Sequence, residues 1–350
     1  DSNAEQNSYY LNLLFQSYIG NTRHTFTTGL SFEMNNYIET LNDSAFNRFE
    51  RIPGVYFQYN YALDERLNII AGIRGDHHNI YGTFFTPRLH LRYNITEHTV
   101  LRASAGLGYR TANVIAENNS LLATSRKIMV MEEPEQEQAF NAGLNLTQYV
   151  DLMGRELRLS AEVYHTRFMN QLILDLDQDA QAVYIYNLDG KSYSIAYQAE
   201  ASYELIERLD MTLAFRYNDV KMTTNDELQY KALLNRYKGL VTLSYATREK
   251  TWQFDFTTQF NGTSRIPVTA GNPPEYRRNT SAPAYTIINA QVTKYFKKWN
   301  IYLGGENLTN FKQENPIIAA DQPFGQYFDS SLIWGPVSGM NIYAGIRVTL

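Results

Sequence analysis

The chain has 350 residues, and 31 Lys and Arg against 36 Asp and Glu leave a mild net charge of −5, which gives no support to nucleic-acid binding. There is no Cys, so disulfides, zinc–thiolate centres and thiol nucleophiles are all excluded. Mean hydropathy is −0.40 and no apolar run reaches the ~20 residues of a transmembrane helix, yet the sequence carries 27 Tyr and 18 Phe.

Period-two alternation of apolar and polar residues, the mark of a strand with two different faces, runs along the whole chain. A first strand is expected at about Tyr9–Ile19. Near 86–93, Pro87, Leu89, Leu91 and Tyr93 oppose Thr86, Arg88, His90 and Arg92. Leu101, Ala103, Ala105, Leu107 and Tyr109 then oppose Arg102, Ser104, Gly106, Gly108 and Arg110. Further on, Trp252, Phe254, Phe256, Thr258 and Phe260 oppose Gln253, Asp255, Thr257 and Gln259. At the C-terminus, Ile342, Ala344, Ile346, Val348 and Leu350 oppose Tyr343, Gly345, Arg347 and Thr349. The strands run to about 10–15 residues, well beyond the usual five or six of soluble sheets, and the apolar faces are free of charge, which would cost roughly 2–4 kcal/mol at a bilayer midplane.

Connections alternate in length. Tight ones fall near Gly20–Arg23, Asp64–Arg66, Thr96–His98, Asp151–Arg155, Glu207–Asp210, Thr247–Lys250 and Lys297–Lys298. Long ones fall near 37–50, 111–134, 170–191, 225–235, 263–281 and 308–338, with a shorter one near 79–83. Short periplasmic turns and long extracellular loops are how a bacterial outer-membrane barrel is built. The expected fold is therefore all-β, a transmembrane antiparallel β-barrel of about fifteen strands. An odd count that starts outside the cell implies that residues 1–350 are the C-terminal part of one barrel; about seven further strands would give 22, the size of the plugged transporters. The start, DSNAEQNSYY, shows no signal peptide, so either the mature protein begins there or the chain is a piece of something longer.

Three stretches carry a family likeness. The C-terminal one, Gly304 to Leu350, has a penultimate strand closing on Glu306-Asn307-Leu308-Thr309-Asn310, a long loop with Pro323-Phe324-Gly325 and Trp334-Gly335-Pro336, and a short amphipathic last strand. Gly108-Tyr109-Arg110-Thr111-Ala112-Asn113, followed by Glu117-Asn118-Asn119 and Leu121, forms a mid-chain box. Tyr186-Asn187-Leu188-Asp189-Gly190-Lys191 leads to Gln198-Ala199-Glu200. Together they resemble the barrel of TonB-dependent outer-membrane receptors, in particular the Bacteroidota-type siderophore and vitamin branch. The resemblance implies an N-terminal plug and first strands on a missing segment or separate chain, coupling to TonB through that segment, and contact with outer-membrane lipid and lipopolysaccharide. Two departures stand out: Thr111-Ala112 and Glu117-Asn118 replace the residues of the haem-receptor box, and Leu350 stands where an aromatic residue is usual.

Candidate site residues fall into four groups. Tyr184, Tyr186, Arg277, Arg278, Phe324, Tyr327, Phe328 and Trp334 lie in long loops and offer the aromatic-plus-Arg lining that suits an anionic or aromatic ligand; for Phe324 and Trp334, packing within the loop is an equal expectation. Arg102, Arg110, Glu162, Glu200, Arg216, Asp255, Lys294, Glu306 and Arg347 are assigned to lumen-facing positions, chiefly as wall-to-plug contacts. Asp175, Asp177 and Asp179 resemble the opening of a calcium loop, but Ala180 and Tyr186 stand where Gly and a bidentate Glu belong; a structural Ca2+ in the loops is the only cofactor left open. His77 and His78 point to opposite faces of a strand, and Met129, Met131, Glu132, Glu133, Glu135 and Glu137 form an acidic loop with only a weak case for copper. No catalytic constellation emerges. The expected function is TonB-energised uptake of a scarce nutrient complex, first a ferric siderophore, then cobalamin, haem, thiamine or another metal complex. The alternatives are a receptor-like scaffold in a larger outer-membrane complex, with a surface lipoprotein as partner, and a passive porin.

Overall fold

The computed structural model describes residues 2–41, 44–45 and 47–349; the Leu350 terminus lies outside them. Among the described residues there are 23 strands; eight are short pieces of two to six residues inside connections, and the remaining fifteen are 8 to 21 residues long. The chain divides into two compact units, with the strands Glu137–Leu152 and Arg155–Asn170 each contributing residues to both.

In the first unit, Ser2–Ile19, Asn21–Leu41, Arg48–Leu63, Leu67–His78, Arg88–Thr96 and Thr99–Arg110 pair in sequence order, every neighbour antiparallel. Their tight turns fall where the chain can adopt a left-handed backbone, at Gly20 (φ 76°) and Asp64 (φ 49°). Because the side-chain period is two, the register fixes one composition per face. Leu13, Leu30, Val55 and Gly75 form one row, and Phe15, Thr28, Phe57 and Ile73 the next. The opposite face carries the rows Asn12, Ser31, Gly54, Asp76 and Gln16, Thr27, Gln58, Gly72, Arg88. The apolar rows stand open: Leu13, Leu30, Val55 and Ile73 are each more than half exposed. A surface of this kind is stable against lipid and not against water.

In the second unit, Ser192–Ile206, Leu209–Thr224, Tyr237–Ala246, Trp252–Asn261, Tyr285–Tyr295, Trp299–Glu306 and Asn341–Val348 continue the same consecutive antiparallel pattern. Positive φ at Gly154, Arg208 and Lys250 marks its tight turns. At the last hairpin, Tyr302 faces Gly345 and Tyr343 faces Gly304; a Cβ at either glycine would come within 2.5 Å of the opposing ring, so the rings occupy the space that side chains would need.

The register corrects one expectation. Lys294 pairs with Trp252 and shares the face of Phe254, Phe256 and Val292, so it does not face the lumen. Its position at the strand end lets the stem lie along the apolar face while Nζ sits 4.6 Å from the Trp252 ring centre. Arg102, Arg110, Glu162, Glu200, Arg216, Asp255, Glu306 and Arg347 all occupy polar-face positions of their strands.

Candidate functional site

In the second unit the long connections fold on one another. Lys127–Val130 runs parallel to Ala182–Asn187, and Leu172–Asp175 completes a three-stranded sheet. Ile173, Val183 and Ile185 are fully buried there. The 263–284 and 307–340 connections build a second core from Ile266, Ala282, Ile318, Ala319 and Leu332, with Tyr276, Tyr327 and Trp334 packed against it.

A buried ion pair ties these pieces together. Arg126 and Asp329 are 6% and 3% exposed, and Arg126 Nε donates to Asp329 Oδ2 at 2.8 Å. Arg126 Nη1 also donates to the carbonyls of Leu176, Asp179 and Ala182, at 3.3–3.4 Å. Asp329 Oδ1 accepts from the Ser331 amide and hydroxyl at 2.8 and 2.7 Å. Buried charges persist only when paired and hydrogen-bonded in this way. A second tie joins Arg265 to Asp177 Oδ1 at 2.7 Å, and the Val268 amide donates to the same oxygen.

The loop candidates separate by role. Tyr327 and Trp334 belong to the second core, where Trp334 packs against Tyr285 and Phe311. Arg278 is a clip: its Nη2 donates to the carbonyls of Asn315 and Ile317, and burial pushes its guanidinium down from the usual range. Arg277 is exposed, with Nε on the Asn272 carbonyl. Phe324 is wholly exposed at a loop tip, while Phe328 and Tyr184 are half-buried. Tyr186 donates to Asp175 Oδ2 at 3.0 Å; burial, reinforced by that carboxylate, pushes its phenol up to about 12. The three aspartates serve different donors: Asp175 Oδ1 accepts from the Asp177 and Gln178 amides, Asp177 binds Arg265, and Asp179 accepts from the Gln181 amide. Among the described residues no group of three or more His, Asp or Glu is arranged to hold a metal ion.

The first unit carries its own polar constellation on the polar face. Arg74 binds both oxygens of Asp76, at 2.7 and 2.6 Å, and the Ser31 hydroxyl at 2.7 Å. Nearer the long-loop end, Arg48 Nε donates to Glu50 at 2.5 Å and its Nη1 and Nη2 reach Ala112 and Asn113 of the mid-chain box. His78 is fully buried, with Nε2 at 3.7 Å from Glu50, while His77 meets Thr83 on the other face. Arg110 bridges Glu137 and Glu117, which fixes the start of the box loop. The acidic loop is likewise engaged by protein donors: Glu132 accepts from the Asn187 amide and Glu135 from Asn170.

The family model for TonB-dependent receptor-like β-barrels matches residues 1–308. The chain belongs to the TonB-dependent receptor barrel family. Solved structures agree with that fold. The chain is similar to the ferric enterobactin receptor PfeA of Pseudomonas aeruginosa (TM-score 0.70, 14% identity, 98% of this chain and 54% of that one). It is also similar to the siderophore receptor PirA of Acinetobacter baumannii (0.71, 12%, 99% and 55%) and to the FrpB iron transporter of Neisseria meningitidis (0.68, 12%, 98% and 55%). The chain thus spans about 54% of the length of these receptor chains. Curated proteins compared by sequence gave no match.

Membership of this outer-membrane family makes the open apolar face of the receptor barrel its lipid face. The ties that order the barrel's loops, Arg126–Asp329 and Arg265–Asp177, escaped sequence reasoning because no local pattern joins residues 203 and 88 positions apart. Arg74, Asp76 and His78 were within reach, since they continue a period-two polar face.

Proposed function

We propose that this receptor barrel takes part in TonB-energised uptake of a scarce nutrient complex, a ferric siderophore before others, with its long loops on the extracellular side. The observation that carries this reading is the loop assembly: long connections at one end of the strands share cores and a buried ion pair, and so form a fixed surface that presents Phe324 and Arg277. A passive channel needs no such ordered surface, whereas capture of a ligand gains from a preformed one. The structural neighbours, named as siderophore receptors and an iron transporter, support the choice of ligand class.

Growth of a deletion strain on single ferric siderophores, restored by the intact receptor only when TonB is present, is the expected result. Uptake that survives loss of TonB would refute the proposal. Orientation has its own test, because the described chain has no Cys. Phe324→Cys is expected to react with a membrane-impermeant maleimide on whole cells, and protection until lysis would reverse the assignment.

A further inference from the structure

The polar face of the first unit carries a run of cations that the loop surface does not account for. Arg88, His90 and Arg92 follow at every second residue of one strand, so they share a face at steps of about 7 Å. Register sets Arg102 directly opposite Arg92, and Ser104 and Gly106 opposite His90 and Arg88. The neighbours on the other side of the strand are Asn68, Ile70 and Gly72. Across these three strands the rows hold three arginines and no carboxylate.

Like charges set directly opposite one another in a sheet cost stability. Elsewhere on this face the wall neutralises its own cations, Arg48 with Glu50, Arg74 with Asp76 and Arg110 with Glu137. Arg88 and Arg92 are both exposed, and among the described residues neither has a carboxylate in ion-pair reach. Arg88 Nη2 donates to Gln58 Oε1 at 2.5 Å. A Cβ on Gly72 would lie 3.1 Å from Arg88 Nε, so the glycine leaves the guanidinium its space. Arg88 also lines a hollow of about 490 Å3, together with Tyr10, Tyr56, Gln58 and the Arg74–Asp76 pair. That pair is neutral as a unit, so Arg88 gives the hollow its charge.

A fixed counter-charge would need one arginine and one place. Here the cations repeat along the strand from the hollow toward the tight turn at Thr96–Thr99, which is the direction in which a solute crosses a barrel. Conduction of an ion needs several sites, each strong enough to be entered and weak enough to be left. We propose that Arg88 and Arg92 form an anion path on the wall of the lumen, toward which a barrel with an outward lipid face turns its polar side. An anionic group of the nutrient complex seats at Arg88 in the hollow and then passes to Arg92 and Arg102. This assignment rests on the uptake reading above and adds the charge class of the ligand, a complex of net negative charge.

The test is equilibrium dialysis of the intact purified receptor in detergent against two iron chelates. The probes are a hexadentate ferric tricatecholate, which is a trianion, and a hexadentate ferric trihydroxamate, which is neutral. Arg88→Gln with Arg92→Gln should weaken binding of the trianion about tenfold, the size of one lost charged hydrogen bond. Arg88→Lys with Arg92→Lys should keep most of it, and the neutral chelate should not distinguish the variants. Added salt should weaken binding of the trianion to wild type more than to the Gln variant. Equal binding of the trianion by wild type and the Gln variant would overturn the proposal. So would loss of both chelates together with a lowered unfolding midpoint, because the arginines would then be holding the plug and not the ligand. If the double variant fails to insert, Arg92→Gln alone gives the same comparison. Dialysis uses neither cells nor TonB, so it reads the anion path even where the growth test refutes energised uptake.

Discussion

Arg126 and Asp329 meet out of water across 203 residues of sequence. Removing one partner of such a pair leaves a buried charge alone, at a cost of about 3–5 kcal/mol. Arg126→Met is therefore expected to loosen the last long loop: exchange at the Ile318 and Asp329 amides, now bonded to each other's carbonyls, should accelerate by a hundredfold or more. Unchanged exchange would show that the pair adds nothing. Tyr186 makes a prediction in pH. Its folded pKa lies above the ordinary value of 10.0, at about 12, so what its bond to Asp175 contributes is fully present below pH 10 and is lost as pH rises through about 12. In a phenolate absorbance titration, the difference between wild type and Tyr186→Phe should appear near pH 12; a difference near pH 10 would exclude the bond. At this scale the sequence was a partial guide. The spacing of Asp175, Asp177 and Asp179 drew notice as a cation pattern, but each carboxylate serves a donor supplied by the loop fold.

Strands were the most legible elements, because a period of two acts on every residue and needs no distant partner. The alternation at Trp252–Phe260 and Ile342–Val348 appears in the register as read. Lys294 shows where such reading slips: charge suggested the polar face, while its pairing with Trp252 places it on the apolar one. The face assignment has a direct test. Phe256 lies mid-strand on the apolar face and Thr257 beside it on the polar face. Phe256→Lys should destabilise the folded barrel in lipid vesicles by roughly 2–4 kcal/mol, whereas Thr257→Lys should change its urea midpoint little. Equal losses would mean that the faces are misassigned. The sheet of Lys127–Val130, Leu172–Asp175 and Ala182–Asn187 was not foreseen, since short strands inside loops pair according to where distant loops meet.

On the scale of the whole molecule, the wall and the loop assembly are built from different information. Fifteen long strands follow from local alternation and turn chemistry, and the barrel family was visible in the C-terminal stretch and the mid-chain box. The loop assembly depends on contacts that only the completed fold creates, which is why Tyr327, Trp334 and Arg278 could be named as loop residues but not sorted into packing and clip. Replacing 312–334 by a short Gly-Ser linker should therefore abolish the ligand capture proposed above while the wall keeps its heat-resistant gel migration; capture that persists would place the ligand surface elsewhere. The Arg126–Asp329 pair also sets an order of events. Closing so long a segment carries a large entropy cost until the intervening strands have shortened the effective loop, and Asp329 lies in the last long connection of the chain. The loop assembly is then among the last parts to form, so a barrel stalled during insertion would have its wall without the ordered loops.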